Sequence, residues 1–237
     1  MAGTYLRGAI IQYMETFLVP LPNIIIFQYN PESIVHSWTV AEQVTDDEGQ
    51  TVNPLAVKGM PGESFSLTIL VDANDTIAEG NPVSKGLAEV SGVYSRLAAL
   101  EMLLFPSESP AAGLAGSVSA AAGSVGGAIG GGAAATSVPA MEAPVALFVW
   151  GAGRIVPIRV TGLTITEKIY DRFLNPTHAE IKLDLRVLTP EEIAALPAGA
   201  VKEIANVAYK YSHGLRQVLA IGNLANAADG VIGMLPV

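Results

Sequence analysis

The sequence contains no cysteine, which excludes disulfide bridges and thiolate metal ligands and leaves the redox compartment unassigned. Basic residues are few: 13 Lys and Arg stand against 22 Asp and Glu, a formal net charge of -9. Phosphate backbones are held by clustered Lys and Arg, so no nucleic-acid partner is expected. Histidine is also scarce. His36, His178 and His213 lie far apart and no nucleophile motif accompanies them, so a surface or packing role is assigned to each. Residues Met1 to Gln12 lack the sustained apolar core and small-residue cleavage site of a secretory signal, and a cytoplasmic start is expected. At 237 residues the chain is long enough to bury a core without staples.

Charge is absent altogether from Ser109 to Met141, a run long enough to cross a bilayer. Its composition argues against that use. Gly, Ala and Ser supply little transfer free energy, and neither aromatic nor basic anchors flank the run. Eight glycines between Gly113 and Gly132 would each cost a helix roughly 1 kcal/mol relative to Ala. The expectation is a flexible surface insertion at about 107–142, with no membrane insertion by this chain. Its glycines, among them Gly126 and Gly130, lack the GxGxxG spacing and the preceding strand of a phosphate cradle.

Against these absences stands one strongly patterned stretch, His178 to Val187. Ala179, Ile181, Leu183, Leu185 and Val187 are apolar, while His178, Glu180, Lys182, Asp184 and Arg186 are polar or charged. A period of two predicts a strand with one dry face and one wet face. Phe65, Leu67, Ile69 and Val71 alternate likewise with Ser64, Ser66 and Thr68. Further strands are expected at Pro22–Tyr29, Ser33–Val40, Pro144–Trp150, Arg154–Val160 and Leu163–Tyr170. The Pro144–Trp150 stretch is apolar on both sides, as a central strand would be. Asp46 to Asn53 reads as a solvated loop, and Asp72 to Asp75 as a turn rather than a cation loop.

Between Ser84 and Phe105 the period changes. Leu87, Val90, Tyr94, Leu97, Leu100 and Leu104 recur at helical spacing, which predicts one amphipathic helix running through Gly92 and stopped by Pro106. Its stripe suits the dry face of Ala179 to Val187. Thr189-Pro-Glu-Glu192 is a helix start, with Thr as cap, Pro in the first turn and Glu against the dipole. After Pro197, Ala200 to Ala228 reads as a helical arm with a break near Gly214. Trp38 and Trp150 are expected in core or interface positions. No catalytic, cofactor or metal residue is assigned, and an enzyme is not expected.

Several motifs then occur in a recognisable order. Phe27-Gln-Tyr-Asn-Pro-Glu32 comes first, followed by Pro54-Leu-Ala-Val-Lys-Gly-Met-Pro-Gly-Glu63 leading into the strand that ends at Asp72. Leu97 to Pro106 and Leu147-Phe-Val-Trp-Gly151 complete the set. Over roughly residues 20–190 this order resembles the tube-protein domain of contractile injection systems, which is similar to phage tail-tube proteins. The motif residues are Phe27, Asn30, Pro31, Pro54, Leu55, Gly59, Pro61, Gly62, Glu63, Asp72, Trp150 and Gly151.

The resemblance implies an α+β, mainly β domain over 1–190, with two packed antiparallel sheets or a partly open barrel and a flanking amphipathic helix. A C-terminal helical extension, 191–237, then stands where many relatives carry a peptidoglycan-binding LysM module. It also implies a tube-initiator role at the baseplate: a homohexameric ring, with the spike or hub protein, the inner-tube protein and baseplate components as partners. In such a ring the wet face His178, Glu180, Lys182, Asp184 and Arg186 would line the lumen or meet the adjoining ring. Two other classes are kept beside it: a small-molecule-binding β-barrel with a closed apolar cavity, and a membrane-active protein working through residues 109–141.

Overall fold

The computed structural model describes residues 5–16, 19–44, 53, 55–79, 82–105 and 144–232. Pro54 and the Gly/Ala-rich insertion lie outside them, as do the charged residues of the expected Asp46–Asn53 loop. Strands β1 (Ala9–Thr16), β2 (Val19–Ile26) and β3 (Ile34–Thr39) come first, then two short strands, β4 (Glu42–Gln43) and β5 (Val57–Lys58). The long β6 (Gly62–Asp72) leads into helices α1 (Ala73–Glu79), α2 (Pro82–Ser91) and α3 (Tyr94–Glu101). Strands β7 (Ala146–Val149), β8 (Ile155–Tyr170) and β9 (Pro176–Val187) follow, and α4 (Pro190–Ala195) and α5 (Ala200–Ile232) complete the fold.

Seven strands form one antiparallel sheet in the order β2-β1-β7-β8-β9-β6-β3, and β4 pairs with β5 in a separate ribbon. The architecture is thus α+β with a long C-terminal helix. Among the described residues the second sheet amounts to that two-stranded ribbon, and the seven strands do not close into a barrel. β9 lies between β6 and β8 and registers with both over most of its length, Leu183 facing Leu67 on one side and Leu163 on the other. Its apolar residues Ala179, Ile181, Leu183 and Leu185 are 0% exposed. The period-two pattern is therefore the core.

The sheet is strongly curved, as its aromatic contacts require. β6 and β7 are separated by two strands, so a flat sheet would hold them about 14 Å apart. Yet the rings of Phe65 and Phe148 are 5.4 Å apart between centroids, and Phe27 reaches Phe148 at 6.5 Å. The inner face turns toward itself, and Val93, Leu97, Leu100 and Leu103 of the helical layer join the same buried cluster. Fully burying side chains of this size contributes roughly 1.5–3 kcal/mol each.

Five elements differ from their sequence expectations. The single helix expected across Ser84–Phe105 is two helices, because Gly92 adopts a left-handed φ of 58° and the backbone N–H of Val93 leaves the helical ladder to donate to Pro176 O at 2.9 Å. The two strands expected at Arg154–Val160 and Leu163–Tyr170 are the single strand β8. A β-bulge between Val160 and Gly162 absorbs the irregular pattern while pairing to β9 continues. α5 runs unbroken through Gly214. The apolar patch near the N-terminus, which lacks clean alternation, becomes β1 by pairing with β2 and β7. The turn expected at Asp72 to Asp75 is the start of α1, with the Asn74 N–H donating to Asp72 Oδ1 at 2.8 Å.

Thr189 caps α4 through a reciprocal pair: the Glu192 N–H donates to its hydroxyl, and the Thr189 N–H donates to the Glu192 carboxylate. α5 then packs through Ala205, Ala208 and Ser212, small buried residues at spacings of three and four, with Ala205 clustered with Leu188 and Ile193 and Ser212 at the start of β8. Ser212 answers a backbone need. Its hydroxyl accepts from Ile155 N and donates to Ile155 O, where β8 has not yet met β9.

The break at Gly92 gives a direct stability test. A Cβ there would enter the space of the Pro176 carbonyl, in a backbone region that L-residues enter only with strain. Gly92→Ala is expected to lower unfolding free energy by about 1–3 kcal/mol in a urea titration. An unchanged midpoint would mean that this junction does not depend on glycine.

Candidate functional site

Two surfaces collect the residues singled out by sequence. The first is the outer face of the curved sheet. Register places His178 between Asp72 and Lys168, and Glu180 between Leu70 and Thr166. Lys182 lies between Thr68 and Thr164, and Arg186 between Ser64 and Arg159. Asp184 faces Ser66 and Gly162, and a Cβ at 162 would approach its carboxylate to 2.9 Å. The five polar residues of β9 thus share a face whose neighbouring strands are mostly hydroxyl-bearing or charged.

Pairing on this face is local. Lys168 Nζ contacts Glu180 at 2.6 Å, His178 contacts Asp72 at 3.3 Å, and Arg186 contacts Glu192 at 2.7 Å. The hydrogen bond and charge of Lys168 hold the Glu180 carboxyl below its ordinary range. Exposed pairs of this kind add about 0–1 kcal/mol, so the pattern keeps the face wet rather than holding the fold.

The second surface is a cleft of about 350 Å³ at one end of the sheet, between the β5–β6 segment and α5. Its floor is charged. Glu63, only 5% exposed, accepts hydrogen bonds from Arg216 Nη1 at 2.9 Å and from Arg216 Nη2, and His36 Nε2 lies 2.9 Å from its Oε1. Arg216 also sits over the Trp38 ring at 5.1 Å. His36 stacks on Phe65 at 4.4 Å, joining this network to the core. Tyr209 lines the cleft, and its phenol is raised above its ordinary pKa mainly by desolvation, with Arg216 pulling the other way.

The motif residues divide between these places. Pro61 and Glu63 line the cleft, and Gly62 opens β6 beside them. Gly59 turns the chain toward it with a φ of 81°, whereas Leu55 is exposed. Phe27 and Trp150 meet Phe148 in the aromatic core. Gly151, with a φ of 67°, makes the turn closed by Trp150 N donating to Arg154 O. Asn30, next to Pro31, accepts from Gly8 N and donates to Leu6 O, tying the early chain to the end of β2. Gln28 donates to Asp72 O and accepts from Asp72 N, so its amide acts as a short strand at the end of β6. These contacts explain the motif as structural ties.

His213 stacks on Tyr209. Among the described residues, no three His, Cys, Asp or Glu side chains gather in metal-holding geometry, and no helix is long and apolar enough to cross a membrane. Sequence reasoning missed Arg216, since a partner 153 positions from Glu63 leaves no local trace.

Removing Arg216 would leave the Glu63 carboxylate buried with His36 alone. Arg216→Ala is expected to destabilise the chain by about 1–3 kcal/mol in chemical denaturation, with Arg216→Lys intermediate because it forfeits the bidentate geometry. Equal midpoints for all three proteins would show that the pair is energetically idle. No family model matches the sequence, and no curated protein matches it.

Proposed function

We propose that this chain is a structural subunit of a contractile injection or other phage tail-like particle. It forms a six-membered ring that joins the spike hub and baseplate to the inner tube and lines the conduit. The observation that supports this most is the pair of open edges on a curved antiparallel sheet: β2 ends it on one side and β3 on the other. In a monomer such edges invite aggregation; in a ring each is paired by a neighbour, giving a continuous wall. The curved sheet is then one segment of a partly open barrel of tail-tube type.

Side chains near the edges fit that use. Ile24 and Ile26 on β2 and Val35 on β3 are more than half exposed, at 53%, 58% and 59%. Across the outer face, by contrast, basic and acidic groups alternate on β9, a composition that keeps a conduit hydrated without gripping cargo. The motif order from Phe27 to Gly151 favours the same reading. No catalysis, cofactor, specific nucleic-acid contact or membrane insertion belongs to it, and assembly takes place in the cytoplasm before the particle is anchored or released.

A second reading, small-molecule binding, has the cleft beside Trp38 and Tyr209 in its favour. Phe27, Phe65 and Phe148 fill the space inside the sheet, so that reading places the ligand in the cleft and not in a barrel interior.

Electron microscopy of an intact particle tests the ring reading: a sixfold ring of this chain is expected where hub meets tube, and a particle without one rejects it. On the outer face, Lys182→Glu with Arg186→Glu is expected to leave unfolding free energy within about 0.5 kcal/mol of wild type. The same double variant is expected to impair cargo loading or ring stacking. Normal loading and stacking would return both residues to an ordinary solvated surface.

A further inference from the structure

The cleft beside α5 holds polar groups that the fold leaves unused. Tyr209, His213 and Gln217 recur every four residues and so lie along one face of α5, which forms one wall. The Tyr209 hydroxyl, the His213 ring nitrogens and the Gln217 amide make no hydrogen bond to another described residue. Desolvation raises the Tyr209 pKa, so its hydroxyl gives up part of its water without gaining a protein partner. Three unanswered polar groups thus converge on one recess.

The rest of the recess is mostly apolar. Trp38, Met60, Pro61, Val187 and Leu188 line a space of about 350 Å³, within the range of small-ligand sites. Flat groups predominate at its edge. The His213 ring lies 6.0 Å from that of Tyr209 with 15° between their planes, and the Trp38 ring stands 5.1 Å from the Arg216 guanidinium. Aromatic walls of this kind suit a planar ring.

The charges around the cleft select the polar end of such a ligand. Glu63 is the acid in the lining, and its carboxylate is already taken by Arg216 and His36. Glu191 is exposed and lies outside the lining, acting on Tyr209 only as a more distant charge. The groups left over are rich in donors: a phenol O–H, an amide NH₂ and an imidazole N–H. A carboxylate accepts from several donors at once, and its charge makes each bond about twice as strong as a neutral one. A phosphate asks for clustered cations, whereas the one arginine in this lining is committed to Glu63.

We propose that this cleft binds a small planar aromatic carboxylate, with its rings against Trp38 and the apolar walls and its carboxylate held by Tyr209, His213 and Gln217. The assignment rests on the small-molecule reading of the same cleft, to which it adds a ligand class, and it is independent of the ring.

Calorimetric titration of the full chain with naphthoate, and with the isosteric but neutral naphthamide, tests it. Saturable one-to-one binding of naphthoate is expected, about tenfold tighter than that of naphthamide. Tyr209→Phe, which removes only the hydroxyl, is expected to weaken naphthoate severalfold, and His213→Ala with Gln217→Ala to weaken it further, with urea midpoints showing that each variant is folded. The comparison of the two compounds on the unmodified chain stands whether or not a variant folds. Absence of saturable binding by either compound overturns the site together with the small-molecule reading. Equal affinity for the two overturns the carboxylate assignment alone and keeps that reading. Naphthoate binding indifferent to all three substitutions overturns its placement along α5.

Discussion

Everything in this fold depends on the dry face of β9. Its five apolar side chains are held between those of β6 and β8, and the sheet curves so that Phe65 and Phe148, three strands apart in order, pack together. Curvature creates a concave face deep enough for α3 to fill with Leu97 and Leu100. It also decides what remains outside. Because side chains alternate, burying the odd residues of β9 commits His178, Glu180, Lys182, Asp184 and Arg186 to a single outer surface.

The C-terminal helix is attached by different physics. Small residues bring it close to β8, and polar contacts then hold it: Ser212 with the Ile155 backbone, Tyr211 with Ala152 O, and Arg216 with Glu63. A buried carboxylate in place of an apolar contact makes this attachment directional, since Glu63 accepts only a correctly placed cation. From Val218 to Asn223 every residue of α5 is exposed. At about 1.5 Å per residue the 33-residue helix spans roughly 50 Å.

The family-like motif gains a physical meaning from these ties. Phe27 enters the aromatic core, Gln28 completes the end of β6 through Asp72, and Asn30 anchors the chain before β1. Each is a junction between elements distant in sequence, which is why the residues appear as isolated clusters along the chain. Their arrangement describes how a curved sheet is stitched together.

Wherever the cause is local, the sequence by itself determined the outcome. The alternation of β6 and β9 and the capping box at Thr189 were legible, because a pleat and a cap each act within a few residues, whereas of the expected helical stripe only Leu97 and Leu100 are buried and Leu87, Val90, Tyr94 and Leu104 are exposed. Tertiary structure decided the rest. Gly92 breaks its helix because Pro176 offers Val93 a better acceptor, and β8 stays whole because β9 spans its bulge. Glu63 became a buried anchor only when folding brought Arg216 beside it. The wet face of β9 was visible as a pattern, whereas its neighbours, its curvature and the two open edges beside it depended on which strands came to lie next to one another. Those pairings join residues up to about 140 positions apart, as between Ala9 and Val149, and periodicity carries no information over such separations.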